Sequence, residues 1–353
     1  MAQGLAAGAR PATCLTEVDA TKGGANRIGS RPPRTRAWRD GKVVAEGFPV
    51  EEVSDHLDAG DLVWLDLCSP MKSELHIIAE ELKLHSLSIE DAVSTRQRSK
   101  LDRYADYLFL NAYDVSLDMS SGELQTSELS AFITKSALVT VQDDDRFDVD
   151  ALVARWDSSP DLTGNGVSFL LHGLLDLVVD NHFEAVEALD DSIEELEDLL
   201  FDERPRDPDV QRRSFELRKS LVTLRRVVLP MREVVNTLLR RDLHVVPDAM
   251  APYFQDVYDH VLRAAEWTES LRDLVTTILE TNLTIQGNRL NLIMKKLTGW
   301  AAVIAVPTAV TGFYGQNVPY PGFGREWGFV VSVLILFGTA GALWFMFKKR
   351  DWL

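Results

Sequence analysis

Residues 311–322 read "TGFYGQNVPYPG" and separate two apolar runs. The polar side chains at its centre are the adjacent carboxamides of Gln316 and Asn317, preceded by Tyr314 and Gly315. The stretch has no His, no Cys and no carboxylate, so it offers neither nucleophile nor base. Elsewhere in the 353 residues no nucleophile–base set and no Gly-x-x-x-x-Gly-Lys-Ser/Thr phosphate loop emerges, which disfavours an enzyme. Cys14 and Cys68 have no disulfide framework or metal-ligand spacing and fit a reducing compartment. The formal net charge of -17 argues against nucleic acid as a partner, because phosphate backbones demand clustered Lys and Arg. It suits a protein that meets cations, as it suits any soluble acidic protein.

The elements that must position this turn are hydrophobic. Leu297–Phe313 and Gly328–Phe347 carry no charge, and each is long enough for a membrane helix, the first at the short end. Lys295 and Lys296 precede the first run, while Lys348, Lys349 and Arg350 follow the second. Positive flanks favour the cytoplasmic side, so both outer ends of the hairpin are expected there, with the connecting loop outside. Trp327, Trp344 and Tyr320 stand where interfacial aromatics are expected.

After Pro252 the one proline as far as Phe313 is Pro307. A single helix of about 60 residues would span about 90 Å and leave the membrane as a stalk, which implies bundling with copies of itself. Steps of three and four along it trace a small or polar line: Glu280, Thr284, Gly287, Asn291, Met294, Thr298, Ala301, Ala305, Thr308 and Gly312. Such a line serves close helix packing or a pore lined by one helix per subunit. Asn291 tilts the reading toward a pore, since a carboxamide directed at lipid is costly.

The rest of the chain is expected to be cytoplasmic. "KVVAEGF", "LVWLDL" and "YLFLNAYDVSL" read as strands, and "ELSAFITKSALVTVQ" reads as a hairpin. "SPMKSELHIIAEELKLH" reads as a helix with Ser69 as N-cap and Pro70 at its first position. Two helical segments follow, the first acidic (Glu184 to Asp198) and the second basic (Arg212 to Arg226), as if acid were set against base in a hairpin. The expected organisation is a disordered tail over 1–37, an α/β domain over 38–160, a helical hairpin over 161–250 and a stalk over 251–296. Membrane helices over 297–315 and 327–347 flank an outer loop over 316–326, with a basic tail over 348–353. The fold class is thus an α/β domain joined to long helices and a two-helix transmembrane hairpin.

Several motifs carry a family resemblance. "YGQN" closely resembles the Tyr-Gly-Met-Asn signature of the CorA family of magnesium transporters. "HSLSIEDAVSTRQRSKLDRYADYLFL", "LVTLRRVVLPMREVV", "APYFQDVYDHV" and the terminal "KKRDWL" are similar to that family's segments, in the same order. The likeness covers nearly the whole chain beyond the tail. It implies a homopentamer in the cell membrane, with cytoplasmic termini, a funnel-shaped cytoplasmic domain and five stalk helices around the pore.

The resemblance further implies a selectivity filter at Gly315 and Asn317, within the turn Tyr314–Asn317. Asn291 corresponds to a polar constriction, Met294 and Leu297 to apolar ones, and Asp91 and Asp256 to acidic positions that bind regulatory divalent ions between subunits. The plainer role of those two carboxylates is capping, or salt bridging with the nearby Arg96 and Arg98. Ala301, Ala305, Thr308 and Gly312 then line the pore between constriction and filter. The implied cargo is Mg2+, with Co2+ or Ni2+ as surrogates. Magnesium sheds water reluctantly, and neutral carboxamides can accept hydrogen bonds from its hydration shell without trapping it. A potential of 100 mV drives a divalent ion with about 4.6 kcal/mol, so no ATP is needed. Gln316 departs from the family's usual Met, and Ala305 stands where some relatives carry a bulky residue. Alternatives are Zn2+ transport by a related member and a non-conducting membrane scaffold or sensor.

Overall fold

The computed structural model describes residues 31–353 except 95–96, 119–121, 201–206, 241–242, 244, 317–318, 351 and 353. Seven strands form one sheet: β1 (Arg34–Arg39), β2 (Lys42–Glu46), β3 (Leu62–Cys68), β4 (Lys100–Arg103), β5 (Leu108–Asp118), β6 (Glu123–Ile133) and β7 (Ala137–Gln142). Their order is β2-β1-β3-β7-β6-β5-β4, with β3 and β7 parallel and the other pairs antiparallel.

Side chains alternate across the sheet, and the alternation sorts two cores. Leu65, Leu67, Phe109, Phe132, Val139 and Val141 face α2 (Lys72–Glu81) and α3 (Ser86–Val93). Trp64, Leu108, Leu110, Leu129 and Leu138 face α4 (Val149–Asp157), α5 (Val167–Leu200), α6 (Asp207–Leu238) and α7 (Ala251–Tyr314). Trp156 of α4 lies edge-on to Trp64 at 4.9 Å and to Trp38 at 5.9 Å, locking that helix on the sheet. A short α1 (Val53–Asp58) covers the β1 end, and α8 (Glu326–Lys349) packs along the far end of α7.

Three sequence expectations need correction. First, β1 begins at Arg34, inside the stretch expected to be a tail up to residue 37. Its arginines disguise it: Arg34 donates to Asp150 at 2.6 Å and Arg36 to Asp157 at 2.7 Å, so their charges are matched by α4. Second, Ser69 does not cap α2. The edge of the β3–β7 pairing claims it, with Ser69 N donating to Gln142 O at 2.8 Å and its Oγ to Asp143 O at 2.5 Å. The helix starts two residues past Pro70, where Glu74 accepts from Met71 N at 2.8 Å.

Third, acid does not meet base along the α5–α6 pair. Arg213 to Glu195, at 3.5 Å, is the one ion pair between the two helices among the described residues. Arg225 turns instead to Glu269 of α7 at 3.0 Å, and Lys219 to Glu123 of β6 at 2.6 Å. The hairpin is closed by Leu189, Ile193 and Leu196 against Leu217, Leu221 and Leu224, all buried in one core.

Candidate ion pathway along α7 and the loop that follows it

Helix α7 has 64 residues and is about 96 Å long. Its buried residues are Phe254, Val257, Val261, Ala264, Thr268, Leu271, Val275, Ile278 and Asn282, then Gly299. The spacing alternates three and four, the period of a packed helical seam. Extended at that period, the same line runs through Ile285 and Arg289, both half-buried, is exposed at Leu292 and Lys296, and is shielded again at Gly299, Val303, Val306 and Val310. One stripe of α7 therefore faces its own chain over two stretches, α5 and α6 up to Arg289 and α8 from Gly299 onward, with Leu290–Thr298 exposed on every side between them.

The small and polar line lies two residues off that stripe. At 100° per residue, an offset of two is about 200°, nearly the opposite side of the helix. Thr284, Asn291, Met294, Thr298, Ala301, Ala305, Thr308 and Gly312 are all exposed in the single chain, and Gly287 is half-exposed. The line is thus not the packing surface between α7 and α8; the chain's own elements leave it bare. Leu297 is exposed one residue off the line, next to Thr298. Asn291, Met294 and Thr298 line an open cleft of about 520 Å³ with Asn288, Leu292, Lys295 and Trp352.

At its far end α7 stops with Tyr314. Gly315 N donates to Thr311 O at 2.8 Å and Gln316 N to Phe313 O at 3.3 Å, closing the last turn. Gly315 and Gln316 are exposed, whereas Tyr314 is half-buried with its ring edge-on to Tyr320 at 5.0 Å. Asn317 lies outside the described residues. Nothing periodic in the sequence marks Tyr320 as a partner of Tyr314, because the two rings pair across a loop.

Asp91 and Asp256 do not meet within one chain. Asp91 lies on α3, whose Ile89 and Ala92 pack on one face of the sheet. Asp256 is exposed on the first turns of α7, whose Phe254 and Val257 belong to the core on the other face. Asp91 accepts from Gln97 Nε2 at 2.8 Å and from Lys100 Nζ at 2.6 Å. Partial burial raises its pKa, but these two hydrogen bonds outweigh it and hold the carboxyl below the usual carboxylate range. Proximity in sequence suggests Arg96 or Arg98 as its partner. Arg98 is exposed and Arg96 lies outside the described residues; the observed cation is Lys100, delivered by β4.

Near Asp256, the guanidinium of Arg155 bridges Asp176 and Asp180 of α5, the latter at 2.7 Å. Burial lowers the pKa of the neighbouring His172 despite Asp176 and Asp256. Among the described residues of one chain, no group of three or more His, Cys, Asp or Glu could hold a metal ion.

Helices α7 and α8 are the two among the described residues that are long and apolar enough to cross a membrane. Comparison with known proteins decides what kind of membrane protein this architecture represents. Residues 59–349 match the family model described as CorA-like Mg2+ transporter protein. The chain belongs to the CorA family.

Its relatives include the cobalt/magnesium transport protein CorA of Thermotoga maritima, 30% identical over 308 residues, covering 86% of this chain and 87% of that protein. The putative metal ion transporter YfjQ of Bacillus subtilis is 28% identical over 312 residues, covering 86% and 94% of the two chains. In fold, the CorA magnesium transporter of Methanocaldococcus jannaschii superposes with a TM-score of 0.73 at 21% identity, covering 91% of this chain and 98% of that one. The CorA family is a family of divalent-cation transporters, so the α/β domain, the long helix and the two apolar C-terminal helices belong to a membrane transporter.

Proposed function

We propose that this chain assembles as a homopentamer in the cell membrane and lets Mg2+ pass down the membrane potential, with Co2+ or Ni2+ as surrogates. The observation that carries the reading is the exposed small and polar line of α7, which runs opposite the stripe buried by the chain's own helices. Five such lines facing one axis form a path of Asn291, Met294, Thr298, Ala301, Ala305, Thr308 and Gly312, with Leu297 at its flank. The turn Tyr314-Gly315-Gln316-Asn317 caps the path on the outer side.

Each group has a distinct part. Asn317 carboxamide oxygens accept hydrogen bonds from the waters of the entering ion, so dehydration is not required at the mouth. Gly315 lets the turn approach the axis, and Gln316 supplies a second neutral carboxamide. Asn291 offers a polar ring at the inner end, while Met294 and Leu297 form an apolar collar that closes by excluding water. Transport needs no chemical step, since the potential supplies about 2.3 kcal/mol per unit charge at 100 mV.

Asp91 and Asp256 act as the cytoplasmic sensor. Because they sit on opposite faces of one chain's sheet, a divalent ion bridges them only across two subunits. Lys100 competes with that ion for Asp91. Occupied sites hold neighbouring subunits together and the path closed; a fall in internal Mg2+ frees them.

The test is ion uptake into liposomes by Asn317→Ala, with assembly checked by size. The reading expects pentamers and loss of Mg2+ uptake; undiminished uptake removes the filter assignment. Competition among Mg2+, Co2+, Ni2+ and Zn2+ in the unmodified protein ranks the cargoes, and a clear preference for Zn2+ would trace to Gln316.

A further inference from the structure

The outer loop is fastened to α8 at a single point. Of the 24 residues of α8, the one that is buried is Gly328, in its first turn. What covers it is the backbone of Gly322. A β-carbon at Gly328 would stand 2.8 Å from the Gly322 carbonyl carbon and closer still to its oxygen. Gly322 is equally confined: it has φ +92°, and a β-carbon there would stand 2.9 Å from Trp327 Cη2 and 3.0 Å from Gly328 Cα. Two glycines thus meet backbone to backbone, a contact that no larger residue permits. Gly328 N donates to Arg325 O at 3.0 Å and Arg325 N to Gly322 O at 3.1 Å, which closes the loop into the helix start.

The other end of the loop is fastened by rings. Tyr320 meets Tyr314 at 5.0 Å, Phe323 at 5.3 Å and Phe313 at 6.3 Å. These are contacts of the ring; its hydroxyl has no hydrogen-bond partner among the described residues. Phe323 N donates to Tyr320 O at 2.9 Å, tying the aromatic cluster to the segment that carries Gly322. The turn after Tyr314 is therefore spanned: α7 holds its start, and Tyr320 with the glycine contact holds the chain that leaves it.

We propose that Tyr320 and the Gly322–Gly328 contact are positioning residues for ion entry, setting how closely the Gly315–Gln316 turn approaches the path although neither touches the ion. This rests on the filter reading above. Recognition of a hydrated ion by carboxamides depends on their separation, and a displacement of about 1 Å in a placed group costs up to roughly a hundredfold. A loosened loop therefore weakens capture of the ion from outside while the path beyond it stays open. The signature is a raised KM for Mg2+ with the maximal rate retained.

Concentration-dependent Mg2+ uptake is measured in liposomes for Gly328→Ala, Tyr320→Ala, Tyr320→Phe and Asn317→Ala, with pentamer size and Tm recorded for each. The proposal expects Gly328→Ala and Tyr320→Ala to assemble, melt as the unmodified protein does and show a KM raised at least about tenfold. Tyr320→Phe keeps the ring and retains the unmodified KM. If Asn317→Ala abolishes uptake while Gly328→Ala and Tyr320→Ala keep the unmodified KM, the fastening role is overturned and the filter reading stands. If Asn317→Ala transports normally, both fall. If Gly328→Ala does not assemble, the Tyr320 pair decides: equal KM values for Ala and Phe overturn the proposal.

Discussion

Helix α7 is one continuous helix with two different surroundings. Over Ala251–Asn282 its packing stripe is filled by the chain itself, with Phe254, Val261, Leu271 and Ile278 buried against α5 and α6. Beyond Asn282 the one buried residue of this helix is Gly299, and Leu290, Ile293, Trp300 and Ile304 are exposed. The first half is held by what the chain folds; the second is built for what lies outside the chain. Apolar residues mean core in the first region and a surface left open by the chain in the second. The polar line means solvent along most of the stalk and, from Asn291 onward, a candidate path. The same helical period thus carries two functions along one element, and the surroundings decide which.

The comparison predicts unequal costs of substitution. Leu271→Asp buries an unpaired carboxylate in the core between the sheet and the long helices, at a cost of several kcal/mol, enough to abolish folded protein in a solubility and circular dichroism assay. A folded, thermally unchanged Leu271→Asp would erase the distinction between the two halves.

A smaller effect distinguishes the halves by pH. The two apolar runs hold no charge, so titration of stability belongs to the part of the chain outside them. Burial, helped by Asp144 and Glu184, pushes Asp114 up to about 6 although Asn181 donates to it at 2.7 Å. The folded state then binds more protons than the unfolded chain between about pH 4 and 6, so this contribution to stability is lost as pH rises through that window. Asp114→Asn should raise Tm by a few degrees above about pH 7, on the order of 2 kcal/mol, and by nothing near pH 4. His182 works in the opposite sense. Complete burial lowers it to about 4, so its contribution is lost as pH falls through the range between its ordinary value and about 4.

The smallest effect concerns the hairpin. Arg213→Ala removes the ion pair to Glu195, which both partners hold in solvent, and should cost less than about 1 kcal/mol in thermal unfolding. A larger loss would restore charge as the force between α5 and α6.

Much of this architecture is legible in the amino-acid sequence. Uniform apolar runs announce the membrane helices, because bilayer thickness fixes their length and disfavours charge. The absence of proline between Pro252 and Pro307 announces α7. The polar line is visible as spacing, but its direction is not: only the position of the buried stripe shows that the line faces away from α8. β1 is hidden because paired arginines look like a solvated tail. Lys100 escapes notice because the antiparallel pairing of β4 with β5, not proximity in sequence, brings it to Asp91. The Gly322–Gly328 contact is invisible because glycine in a loop normally signals a turn, not an approach of two backbones.

The central claim is that the bare line of α7 faces the ion path. In a Cys14→Ser background, Thr308→Cys and Ala305→Cys are compared with Ile304→Cys during Mg2+ uptake into liposomes, before and after a charged, membrane-impermeant thiol reagent. Cys68 is buried, so it does not interfere. The account predicts that the reagent stops uptake through Thr308→Cys and Ala305→Cys and leaves Ile304→Cys running. Block at Ile304→Cys with none at Thr308→Cys and Ala305→Cys would put the path on another face of the helix and contradict it.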